Sequence, residues 1–165
     1  MPRRVPLLLL EKPENVFSLE PTPAALLVDL EGTLTVFSPS RSSVIEALTH
    51  FEEVAAENGL DRRRLHYVTN AAFHGLTSRC PGISARLHTR AHKPFFTPPA
   101  QFQLYGQATV VVGDQYLTDG LLAWRFGFSF GLIRTSEHQL FWPHMQLSVG
   151  QLLSPLFFRL GERCR

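Results

Sequence analysis

The chain has 165 residues, 44% of them hydrophobic and 18% charged, with a net charge of +2. That length and balance fit one globular domain with a real core and exclude both a disordered chain and two ordinary domains. The small charge gives no case for nucleic acid as a partner, and Cys80 and Cys164 lack any ligand or framework spacing, so they read as reduced thiols of a cytosolic protein.

Residues 1–23 read as an irregular amino-terminal arm. Its apolar run, Val5 to Leu10, is interrupted by Pro6 and is too short for a secretory signal or a membrane span. The expectation is that Leu7 to Leu10 pack on the domain or touch a membrane surface. A core follows over residues 24–135. Ala24 to Val28 is an unbroken apolar run suited to a strand buried on both faces, and it ends in Asp29, Glu31 and Thr33 with Gly32 at a sharp turn. Ser38-Pro39-Ser40 leads to a helix with Val44, Leu48, Phe51 and Ala55 inward, Glu52, Glu53 and Glu57 toward water, and Asn58-Gly59 as the stop. Arg62 to Arg64 is a solvated basic run.

A second strand, Leu65 to Val68, runs into Thr69-Asn70. Residues 71–80 suit a short helix, and alternating Ile83, Ala85 and Leu87 a half-buried strand leading to Ala91-His92-Lys93-Pro94. Pro98-Pro99 can open a short helix. Ala108 to Val112 is the most β-branched run and ends in Gly113-Asp114, with Asp119 following. Thr118 then caps a helix packed through Leu121, Leu122 and Trp124 and stopped by Gly127. Phe128 to Ile133 closes the series as another strand. Alternating strands and helices predict an α/β fold, a Rossmann-like parallel sheet with helices on both faces.

Residues 136–165 form an amphipathic carboxyl-terminal segment rich in Leu and Phe, broken by Pro143 and Pro155 and ending in Arg159, Arg163 and Arg165. It is expected to pack on the core, form a dimer contact or lie in a membrane interface. His66 reads as a packing residue, His92 as a solvated loop histidine, and His138 and His144 have no partner at metal-ligand spacing. No nucleotide-binding fingerprint is present.

Lys and Asp are scarce: of 16 basic residues only Lys12 and Lys93 are lysines, and of 14 acidic residues only Asp29, Asp61, Asp114 and Asp119 are aspartates. Three of these aspartates and one of the lysines fall at or just beyond the ends of successive apolar runs, where open α/β sheets place their chemistry. Two carboxylates at the lip of a hydrophobic strand are costly unless charge, metal or phosphate chemistry uses them.

In order, DLEGT, VTN, AHKP and VGDQYLTDG resemble the four motifs of the haloacid-dehalogenase superfamily of aspartate-based phosphatases, over residues 26–134. AHKP and GDQYLTD resemble its subfamily IIIA, the branch that includes bacterial and mitochondrial phosphatidylglycerophosphate phosphatases. The resemblance implies Asp29 as nucleophile, forming an aspartyl-phosphate. It implies Glu31 as general acid and base, and Thr69, Asn70 and Lys93 as contacts to substrate. Thr33 would fix the turn that aims the carboxylates. Mg²⁺ would be held by Asp29, the Glu31 carbonyl and Asp114, with Asp119 as ligand or orienting group. The family usually has Asp where Glu31 stands, and a side chain one methylene longer displaces the carboxyl by about 1 Å. Enolase-phosphatases of the same superfamily carry a similar DxEGT.

Asp29 and Thr69 are 40 residues apart and Thr69 and Lys93 only 24, so neither interval has room for a cap domain. An open site favours a large substrate unless oligomerisation supplies a lid. The expected function is therefore a cytoplasmic phosphatase acting on phosphatidylglycerophosphate, with peripheral contact at the inner face of the membrane. The alternatives are a phosphatase of a soluble metabolite or sugar phosphate, and a catalytically weak scaffold that binds a phosphate-bearing partner.

Overall fold

Short apolar runs recur along the chain, and a computed structural model, which describes residues 4–37, 39–72, 81–133 and 141–160, assembles them into a single sheet. Its strands are β1 (Val5–Leu10), β2 (Ala25–Val28), β3 (Leu65–Val68), β4 (Leu87–His88), β5 (Thr109–Gly113), β6 (Ser129–Ile133) and β7 (Phe158–Leu160). They lie in the order β4-β3-β2-β5-β6-β1-β7, and every neighbouring pair is parallel. The protein is thus α/β, as its alternation of elements predicted.

Strand periodicity sends successive side chains to opposite faces. On one face Leu26, Val28, Leu65, Tyr67, Val110 and Val112 meet Val44, Leu48, Phe51 and Ala55 of α1 (Arg41–Glu57). On the other, Leu27, Val111 and Phe130 meet Phe102 of α3 (Ala100–Tyr105) and Leu122 and Ala123 of α4 (Leu121–Phe126). Each buried Val, Leu or Phe among them contributes roughly 1.5–3 kcal/mol by leaving water. Gly127, at φ 73°, ends α4 in the left-handed conformation expected of a glycine stop.

Several expectations are corrected. The amino-terminal arm is not irregular: Val5–Leu10 is a strand between β6 and β7. Pro6 is tolerated on the β6 side because that ladder begins one residue later, at Leu7 opposite Phe130. Alternation at Ile83, Ala85 and Leu87 does not make a long strand. The chain instead forms a single helical turn, α2 (Pro81–Ser84), and only Leu87–His88 join the sheet. Arg86 causes the difference: its backbone N–H bonds the Ile83 carbonyl, and its guanidinium grips Glu52 at 2.7 and 3.1 Å. Glu52 is consequently buried rather than on the wet side of α1, and it also accepts a 2.9 Å bond from the Tyr67 hydroxyl. The helix expected over residues 71–80 falls mostly outside the described residues.

Pro143 and Pro155 do not break the carboxyl-terminal segment, because α5 runs from Phe141 to Phe157 and leads directly into β7. Pro143 lies in the first turn, where no N–H is required. Pro155 cannot bond the Gln151 carbonyl, and the Ser154 hydroxyl takes that acceptor at 2.9 Å. Gly150 lets α5 settle on Tyr116, whose Cβ lies 2.5 Å from where a glycine-replacing Cβ would stand. Among the described residues, no helix is long and apolar enough to cross a membrane. Cys80, His138, Cys164, Arg163 and Arg165 lie outside the described residues.

Candidate active site

In the sheet β2 lies beside β5, and the chain leaves β2 through α1 on one face and β5 through α4 on the other, so their carboxyl ends form the switch point at which open α/β sheets have their crevice. The ladder positions the first carboxylate: the Asp29 N–H donates to the Val112 carbonyl at 2.9 Å, one residue before Gly113-Asp114. Gly32, at φ 79°, then turns the chain, and a Cβ there would stand 2.6 Å from Asp114 Oδ2. Gly113 is equally constrained, since a Cβ would collide with Asp119. These two glycines bring separate strand ends to van der Waals distance. Gly32 was legible as a turn residue, whereas the close approach at Gly113 has no signature in one sequence.

At the centre, Lys93 Nζ lies 2.7 Å from Asp29 Oδ1 and 2.6 Å from Asp119 Oδ1, with all three side chains buried. Asp29 Oδ1 also accepts the Leu30 N–H at 2.8 Å. Both bonds fall on Oδ1 rather than on Oδ2. Asp119 Oδ2 accepts from the Thr118 hydroxyl at 3.2 Å, so Thr118 orients this carboxylate instead of capping α4 as expected.

Carboxylate oxygens of Asp29, Asp114 and Asp119 lie within 4.8 Å of one another. Asp114 is fully buried, and neither of its oxygens has a hydrogen-bond partner among the described residues. Three carboxylates thus face one ammonium. Burial, reinforced by Asp119 and Asp29, pushes the Asp114 carboxyl up to about 8. Burial likewise raises Asp29 to about 7, against the pull of Lys93. Burial opposes the charge on Lys93, but Asp119 and Asp29 outweigh it and hold the ammonium above its ordinary value. An all-oxygen, negatively charged pocket with an orphaned carboxylate fits a hard divalent cation such as Mg²⁺. The Glu31 carboxylate does not join this group among the described residues; the residue is half-buried, and its backbone forms an isolated parallel bridge with Thr35.

Thr69 follows β3 and is buried. Its hydroxyl oxygen accepts the Ala71 N–H at 3.1 Å, which leaves its own hydrogen for a further acceptor. Asn70 holds the loop: its Oδ1 accepts the Lys93 N–H at 2.7 Å. Thr33 does not tie the β2 turn through its side chain, because its buried hydroxyl has no partner among the described residues. Thr35 does so instead, donating to the Leu30 carbonyl at 3.1 Å. His66 stacks on His88 with its Nδ1 2.9 Å from His88 Nε2, a packing role, and burial lowers it to about 4. Compared with protein-family models, curated proteins and solved structures, the chain matches none.

Proposed function

We propose that this protein is a Mg²⁺-dependent phosphomonoester hydrolase working through an aspartyl-phosphate on Asp29. The observation that carries the reading is the buried Asp114 carboxylate, without a hydrogen bond among the described residues, beside the Asp29–Lys93–Asp119 ion-pair chain. Asp29 and Asp114 would hold the cation, with the Glu31 carbonyl and Asp119 close by; the bound cation would offset the charge of nucleophile and phosphate.

In the first step Asp29 Oδ2 attacks phosphorus and the bond to the leaving oxygen breaks, with Glu31 giving that oxygen a proton. Lys93 neutralises the phosphoryl oxygens and Thr69 donates its hydroxyl hydrogen to them. In the second step Glu31 takes a proton from water, the water oxygen attacks phosphorus, and inorganic phosphate leaves Asp29. The preferred substrate is phosphatidylglycerophosphate, giving phosphatidylglycerol, because short spacings between the motifs leave the crevice open to a large leaving group. Peripheral membrane contact belongs to the same proposal; Val149, Leu152 and Leu156 on the outer side of α5 are exposed and support it. Glu31 favours a second reading, a weakened enzyme that binds a phosphate-bearing partner.

The test is phosphate release from phosphatidylglycerophosphate in mixed micelles and from soluble phosphomonoesters, with and without Mg²⁺. Wild type is expected to be active on the lipid, and Asp29→Asn to lose at least about a thousandfold in kcat, the span that proton transfer and charge stabilisation supply together. Activity confined to soluble esters selects a metabolite phosphatase. Silence of wild type with turnover gained by Glu31→Asp selects the binding reading.

A further inference from the structure

Two large apolar side chains stand in water on the loops that carry the proposed catalytic groups. Phe95, two residues after Lys93, is 77% exposed, and Val36, on the loop that carries Glu31 and Thr33, is 58% exposed. The two loops approach the crevice from opposite sides. The Val36 loop runs on to α1, which covers one face of the sheet, and Phe37 reaches back to Gly32. The Phe95 loop runs on to Phe96, which packs on His88 at the other face.

The Phe95 loop is also expensively fixed. Arg90 and His92 have φ values of 50° and 54°, a left-handed backbone that costs a non-glycine residue on the order of 1 kcal/mol each. It is held by the Asn70 bond to the Lys93 N–H, by a 2.8 Å bond from the Phe95 N–H to the His92 carbonyl, and by Arg125 on the Pro94 carbonyl at 3.4 Å. A phenyl ring left in water on so constrained a turn, two residues after the lysine that pairs Asp29, is placed to meet what the crevice admits.

We propose that Phe95 and Val36 form an apolar rim that grips the leaving group, so that the site favours phosphomonoesters whose alcohol carries a hydrocarbon chain over those whose alcohol is wholly polar. This rests on the phosphatase reading and adds to it the residues that set leaving-group specificity. No group is transferred to the rim; it contributes binding energy alone.

The experiment uses the full chain with Mg²⁺ and straight-chain alkyl phosphates from ethyl to octyl, kept below micelle-forming concentrations so that no surface is present. Wild type is expected to gain about twofold in kcat/KM per half-buried methylene, through KM. Phe95→Ser with Val36→Ser is expected to flatten that dependence, while Phe95→Leu alone keeps most of it. Turnover without chain-length dependence in wild type, or a dependence that survives the double substitution, overturns the rim and leaves the phosphatase reading intact. Absence of turnover on every ester overturns the phosphatase reading instead. Calorimetric binding of the matching alkyl phosphonates then decides the rim, with affinity that rises with chain length and needs Phe95 supporting it, and flat affinity sinking it.

Discussion

A carboxylate sealed from solvent with no donor to meet it among the described residues, as Asp114 is, makes folding depend on what else enters the site. Without cation its folded pKa of about 8 stands above the ordinary 3.8, so the folded state favours the protonated form. Its stabilising contribution is therefore in place below the ordinary value and is lost as pH rises through about 8. Thermal unfolding in a chelator should show Tm falling over that window, and Asp114→Asn should make the fall shallower, leaving the share that Asp29, raised to about 7, contributes. Mg²⁺ at about a hundred times its dissociation constant should add about 2.7 kcal/mol to wild type near pH 8, roughly 5–10 °C, and little to Asp114→Asn. A wild-type Tm indifferent to Mg²⁺ would remove the cation from the proposed chemistry. Asp114 was legible as a candidate because aspartate is scarce and this one follows a β-branched strand. Its orphaned state was not legible, since it depends on which donors the other strand ends leave unused.

At the scale of elements, the cluster of Glu52, Tyr67 and Arg86 ties α1, β3 and the approach to β4 together. Glu52→Ala leaves the Arg86 guanidinium mostly buried and unpaired at that end, and about 3 kcal/mol should be lost in urea unfolding. Glu53→Ala, one position away on the exposed side, should stay within about 0.5 kcal/mol. Equal effects would mean that the cluster adds nothing. The helical period had already placed position 52 on the inward stripe, four residues after Leu48 and one before α1 turns outward at Glu53. Residue type misled where periodicity did not: glutamate was assigned to water although the stripe ran through it. The same competition reshaped residues 83–87, where alternation promised a strand and the grip of Arg86 on Glu52 bent the chain.

For the whole molecule, the decisive feature is the threading of both chain ends into one sheet. β1 lies between β6 and β7, and Val5, Leu7 and Leu10 are buried. Removing residues 1–11 would uncover β6 and strip at least these side chains from the core, at roughly 1.5–3 kcal/mol each. That is comparable with the whole stability of a small domain, about 5–15 kcal/mol. The truncated chain should lose cooperative unfolding and aggregate; a stable, monomeric truncation would show that β1 is dispensable. Local pattern alone determined the apolar runs that became β2, β3, β5 and β6, the inward stripe of α1, and the polar residues waiting at each strand end. These follow from nearest-neighbour chemistry, because burying an unbroken apolar run and solvating its polar end are favourable wherever the strand finally lies. Only the tertiary structure decided that Val5–Leu10 and Phe158–Leu160 complete the sheet, that Glu52 goes inside, and that Lys93 is shared between Asp29 and Asp119. Those outcomes depend on partners distant in sequence, and the register and approach that select them exist only once the strands have paired.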